Sequence, residues 1–218
     1  MRPQWSDGQT VAMDIRDTFI AANSALTDLV LRVRSEQLSL EAPAYARFHD
    51  GQTLRDSLNL MAYENQCVPK VLAGATGLVT NPEFDGDLLG DDLAGNYERL
   101  AVEANASVRA HTDLERIVHI SYGDVPAARY LSDISLNRTM ALYDAAALTG
   151  LEPHMPDEAL RAVHAIASGV GDLLRQMGIF PPEIAVPDDA SPEDRFLGYI
   201  GREPRGQVGG GGAGGAFG

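Results

Sequence analysis

Residues 123–150 read GDVPAARYLSDISLNRTMALYDAAALTG, and this stretch decides the fold class. Gly123-Asp124-Val125-Pro126 predicts a helix start, because proline in a first helical turn forfeits no hydrogen bond. The apolar positions then recur at helical spacing to Leu148, and Gly150 supplies the stop. Asn137, Ala141, Asp144 and Leu148 fall on one face of this helix. Downstream, a further helix is expected from about Pro156 to Met177. Ser191-Pro192-Glu193-Asp194 predicts the capped start of a short last one ending near Ile200.

The upstream chain is helical by the same signals. Ile15, Phe19, Ile20, Leu26, Leu29, Val30 and Val33 give an apolar period for a first helix over about Thr10 to Arg34. A second is expected from a Thr53 N-cap to about Ala73, with Gly74 as its stop. A third runs from about Asp92 to His111. Between them, Gly74 to Gly90 is polar and reads as a long crossover. Arg116 to Ser121 alternates apolar and polar residues, as a brief strand or an extended linker would. The class is therefore all-α, with residues 1–204 as one helical domain. Residues 205–218, rich in glycine, are expected to form a disordered tail, since they cannot bury enough apolar surface to offset their ordering entropy.

Composition narrows the partners. The chain has 218 residues, 31 acidic against 17 basic, and a net charge of −14. That charge opposes binding to nucleic acid or to anionic membranes. No apolar run is long enough for a transmembrane helix. The opening MRPQWSDGQT has neither a basic n-region nor an apolar h-region, so a cytoplasmic location is expected. One cysteine, Cys67, excludes an internal disulfide and a Cys-rich zinc site.

Several stretches carry a family resemblance. Thr53-Leu54-Arg55-Asp56 resembles the start of the metal-binding helix in the DinB-like superfamily. Leu88-Leu89-Gly90-Asp91-Asp92, and Val118-His119-Ile120-Ser121-Tyr122-Gly123-Asp124-Val125-Pro126, resemble its inter-helix segments. Tyr143-Asp144 with Leu148-Thr149-Gly150 resembles the end of its fourth helix. Asp188-Asp189-Ala190-Ser191-Pro192-Glu193-Asp194-Arg195 with Gly201-Arg202-Glu203-Pro204 resembles its C-terminal close. The matches are ordered, span about residues 10 to 204, and are similar to the mycothiol-dependent maleylpyruvate isomerase type. The resemblance implies an up-down-down-up four-helix bundle with extra C-terminal helices. It also implies a divalent metal, commonly zinc, that activates a thiol. The three ligand positions, however, fall at Leu60, Asn137 and Ala141. Leucine and alanine offer no lone pair, and a lone amide is a poor zinc ligand. The expectation is a family scaffold with no metal and no cofactor.

Leu60, Glu64 and Cys67 share a face of the second helix by their spacing. With Asn137, Ala141 and Asp144 opposite, they outline either an apolar pocket or a collapsed core. Asn137 is a candidate for orienting a carbonyl or enolate, or an ordinary buried amide. Glu64 is a candidate general base, against the commoner reading of a solvated or paired carboxylate. Asp144, a candidate catalytic group, reads more readily as a hydrogen-bond anchor. Cys67 is expected to be a small buried hydrophobe without a basic neighbour one turn away. Tyr63 and Tyr143, with Tyr122 and Tyr130, are candidates to line the pocket or to fill core. His49, His111, His119, His154 and His164 lack ligand spacing.

Two function classes follow, with a third in reserve. One is a metal-independent pocket protein for a small apolar molecule, acting as a cofactor-free cyclase, isomerase or tailoring enzyme of secondary metabolism. The other is a non-catalytic binding or regulatory relative, with a homodimer left open. The third, a metal-dependent thiol transferase, requires a different ligand register.

Overall fold

The computed structural model describes residues 13–46, 50–76 and 86–205. Its regular elements in chain order are α1 (Ile15–Val30), two 3-10 turns (Ser35–Gln37 and Ala44–Ala46), α2 (Leu54–Leu72), α3 (Leu93–Ala110), β1 (Ile117–Ile120), β2 (Gly123–Pro126), α4 (Ala127–Thr149), α5 (Asp157–Gln176) and α6 (Pro192–Tyr199). The architecture is mostly helical. Among the described residues no helix is long and apolar enough to cross a membrane.

Local chemistry sets the helix ends. Thr53 caps α2 by accepting from the Asp56 amide while Asp56 answers the Thr53 amide, a reciprocal capping box. Asp92 caps α3 through the Gly95 amide, and Ser191 caps α6 through the Asp194 amide. Gly150 ends α4 at φ 70°, a left-handed conformation costly for a residue with Cβ. The first helix is shorter than its apolar period suggests. Asp14 accepts from the Arg16 amide and starts it there. Arg16 also holds the Asp14 carboxyl down to about 2.

One element differs in kind. Gly123–Pro126, expected to open the fourth helix, is instead a strand pairing antiparallel with β1, with Val118 opposite Val125 and His119 opposite Asp124. Pro126 ends the strand and becomes the N-cap of α4. A proline suits either role, because neither the strand end nor the first helical turn needs its missing N–H. Of the expected crossover, 77–85 lie outside the described residues, as do His49, the glycine-rich 206–218, and residues 1–12, of which 10–12 belong to the expected first helix.

Two core clusters give the chain directions. One collects Phe19 of α1, Val68 and Val71 of α2, Ala104 and Val108 of α3, and Ala127 and Leu131 of α4. The other collects Leu26 and Leu29, Leu54 and Leu58, Tyr97 and Leu100, and Leu142 and Ala146 from the same four helices. Thus α1 and α4 run from the first cluster to the second, and α2 and α3 run the opposite way. Helix α1 packs closely on α4 and α3, and α2 on α3; α2 and α4 touch only lightly. Helix α5 lies against α1 and α4, adding Leu160, Val163 and Ala167 to the second cluster, and α6 lies against α5.

Candidate functional site

The light contact between α2 and α4 leaves a groove with two chambers. The larger, about 370 Å³, lies between the first half of α2 and the second half of α4, with Tyr45 and Ile179 among its other walls. Leu60, Asn137 and Ala141 all line it, so the three positions that the resemblance assigns to metal ligands converge on one space. With them stand Leu58, Met61, Met140 and Leu148, an apolar lining. The smaller chamber, about 250 Å³, follows along the same groove and is lined by Tyr63, Glu64, Cys67, Tyr122, Tyr130, Asp133 and Asn137, among others. Asn137 lines both.

The division corrects the sequence reading of one shared face. Leu60 belongs to the larger chamber, while Glu64, Cys67 and Tyr63 belong to the smaller. Helical spacing put them in line but carried no information on where the groove is divided. Tyr143 is corrected more fully. It is buried, packs its ring 5.9 Å from that of Phe196, and lines neither chamber. Burial pushes its hydroxyl well above the usual tyrosine range, with the Glu193 carboxylate adding to the shift.

Asn137 and Glu64 form the bar between the chambers. The Asn137 Nδ2 donates to both Glu64 carboxylate oxygens at 3.0 Å. Arg138, with a wholly buried side chain, also donates to Glu64. Its Nε reaches Asn23 Oδ1 at 3.2 Å, and Asn23 passes the network to Asn105 at 3.0 Å. Glu64 is therefore not a solvated surface carboxylate; it is the counter-charge of a buried guanidinium. The donor of Asn137 is also committed, which leaves its Oδ1 as the group a ligand can use. An acceptor suits a ligand hydroxyl or N–H rather than the carbonyl or enolate expected from sequence.

Asp144 is likewise paired. Arg202 grips it in two parallel bonds of 3.1 Å from Nε and Nη2, and Arg202 Cζ sits 4.2 Å from the centroid of the Tyr45 ring. Burial pushes the Asp144 carboxyl up while Arg202 draws it back down. The anchor reading of Asp144 fits this geometry better than a catalytic one. Cys67 is buried, and burial raises its thiol. Lys70 does sit three residues on and pulls the other way, so a basic neighbour exists at helical spacing, but burial outweighs it.

The residue that sequence reasoning missed is Arg138. Its only signal was a charge placed between apolar positions of α4, beside Asn137. Helical spacing places it with Leu131, Ile134, Leu142 and Ala145 on the apolar face of α4, a register that a water-facing arginine would not share.

The implied zinc does not fit these residues. Leu60 and Ala141 offer no donor, and Asn137 has one free amide oxygen, short of the three protein ligands a catalytic zinc keeps. Among the described residues no group of three His, Cys, Asp or Glu side chains is placed to hold a metal. Compared with known proteins, the chain matches no family model, no curated protein and no solved structure.

Proposed function

We propose that this chain is a metal-independent pocket protein for a small, largely apolar molecule, on a DinB-like bundle of the maleylpyruvate isomerase type. The observation that carries the reading is the 370 Å³ chamber on which Leu60, Asn137 and Ala141 converge. Its volume lies in the range of small-molecule sites, and its lining is apolar with few polar groups. Apolar contact supplies most of the affinity, and the Asn137 oxygen sets the orientation of a ligand O–H or N–H.

Binding without turnover is the reading that the ion pairs favour. A cofactor-free cyclase or isomerase needs a group free to take and return a proton. The chambers' carboxylates are all paired: Glu64 and Asp144 sit on buried arginines, and Asp133 pairs with Arg129 at 2.9 Å. Titration calorimetry of the full chain with 1-octanol and cyclohexanol tests the pocket. Saturable binding is expected, reduced at least tenfold in Ala141→Phe, which fills the chamber. Absence of binding to the parent protein would end the proposal. Stoichiometric zinc in protein prepared without chelators would end its metal-independent part.

A further inference from the structure

The walls of the larger chamber carry the shape and chemistry of what would fill it. Three of the chain's six methionines, Met61, Met140 and Met177, line it, with the Tyr45 ring beside them. The Met61 sulfur accepts from Arg138 Nη1 at 3.0 Å, so Met140 and Met177 supply the sulfur contacts. On α4, Ala141 and Ala145 stand one turn apart and present only methyl groups, a low floor flanked by Met140 and Leu148. Among the described residues, no lysine, arginine or histidine lines the chamber, and its one carboxylate, Asp144, is held by Arg202. The amide donors are spent inside the walls. Asn137 Nδ2 donates to Glu64, and Gln52 Nε2 donates to Ser57 Oγ at 2.9 Å. The Asn137 Oδ1 acceptor stays open.

We infer that the larger chamber holds a neutral phenol, its flat ring on the wall of Met140, Ala141 and Ala145 and its hydroxyl donating to Asn137 Oδ1. The inference rests on the pocket reading above and names the ligand class. Thioether sulfur favours aromatic over saturated carbon, by roughly two- to tenfold in affinity per contact. Asn137 and Met140 are three residues apart on α4, about 5–6 Å between Cβ atoms, so a ring seated on Met140 brings its hydroxyl to the amide oxygen. That oxygen accepts only, which suits an O–H and offers nothing to a ketone, ester or carboxylate. An acid would also lack a counter-charge, since Arg138 and Arg202 are spent on Glu64 and Asp144. A chamber of about 370 Å³ admits two fused rings.

Titration calorimetry on the full chain compares 2-naphthol with two relatives. Decahydro-2-naphthol keeps the hydroxyl and loses the aromatic rings; 2-methoxynaphthalene keeps the rings and loses the donor. 2-Naphthol is expected to bind at least tenfold tighter than either. Met140→Leu, close in volume but without sulfur, is expected to narrow the first gap, Asn137→Ala the second, and Ala141→Phe to weaken 2-naphthol at least tenfold. Thermal melts check that each variant is folded, and the comparison in the parent protein needs no variant. Equal affinities for 2-naphthol and either relative would overturn the inference while leaving the pocket reading intact. A first gap unchanged in folded Met140→Leu would overturn the sulfur contact, and 2-naphthol binding unweakened in Ala141→Phe would overturn this chamber as its seat. Failure of 2-naphthol where cyclohexanol binds would overturn the inference alone. Failure of both would overturn the pocket reading as well.

Discussion

Arg138 on α4, wholly buried, is held across the bundle by Glu64 on α2. The guanidinium thus sits in the helical core and the carboxylate, 27% exposed, on the wall of the groove, tied into Asn23, Asn105 and Asn137. A buried pair of this kind adds little net stability over apolar residues of the same size, but breaking it strands a charge. The pair joins α2 and α4, which otherwise touch only lightly, so it ties the two walls of the groove together.

Removing one partner should be costly. Glu64→Gln leaves the Arg138 guanidinium without its counter-charge and should lower stability by about 3 kcal/mol. The double change Glu64→Leu with Arg138→Met should recover most of that loss. Urea denaturation of the three variants measures both. A Glu64→Gln loss below about 1 kcal/mol would mean that the pair is no more than an ordinary neutral hydrogen bond.

The convergence of three positions on one chamber makes the family reading testable by restoration. Leu60→His, Asn137→Asp and Ala141→His together place two imidazoles and a carboxylate around the same space, a set that suits zinc. The triple variant should bind one zinc ion per chain by calorimetry, with the parent chain as the control. Failure of a folded triple variant to bind would mean that the ligand register was misassigned.

The Asp144–Arg202 clasp ties the segment after α6 to α4. Arg202→Ala leaves a buried carboxylate without its cation and should cost about 3 kcal/mol. It should also free the C-terminal segment, since Arg202 Nη1 donates to Ile179 O at 3.4 Å as well. Limited trypsin digestion should then cut at Arg195 before global unfolding. Equal protease resistance in parent and variant would show that packing of Phe196 and Leu197 holds the segment by itself.

A pH effect follows from His164. Burial between α5 and α6 lowers its pKa below the ordinary 6.5, with the nearby Arg195 charge adding to the shift. Its ring lies 5.1 Å from that of Tyr199 and 6.3 Å from that of Phe196. The unfolded chain therefore takes up a proton at a higher pH than the folded one. Stability from this group is complete above pH 6.5 and falls as pH drops from there toward the folded value. Melting temperatures from pH 8 to 5 should show the decline, and His164→Phe should flatten it. An identical slope in that variant would assign the acid sensitivity to other groups.

How much of this was legible in the sequence depends on the kind of signal. Caps and stops were readable because they act locally: Thr53, Asp92, Gly150 and Ser191 each set a boundary within a residue of where it lies. The β1–β2 hairpin was half read. Alternation marked β1, but Gly123–Pro126 carries signals that serve a strand end and a helix start alike, and only pairing with β1 resolves them. For the site, spacing gave the faces and missed the partners. Nothing local to Glu64 or Asp144 announces that Arg138 and Arg202, 74 and 58 residues away, neutralise them. The same limit hid the split of the α2 face, since the bar between the chambers is made by Asn137 from another helix.

That bar has a consequence for how such a protein changes over generations. Because Asn137 and Glu64 close the groove at its middle, a substitution at Ala141 or Leu148 resizes one compartment and leaves the other's walls in place. One at Tyr122 or Asp133 does the reverse. The two compartments can then drift independently, each step reshaping one space without disturbing the other.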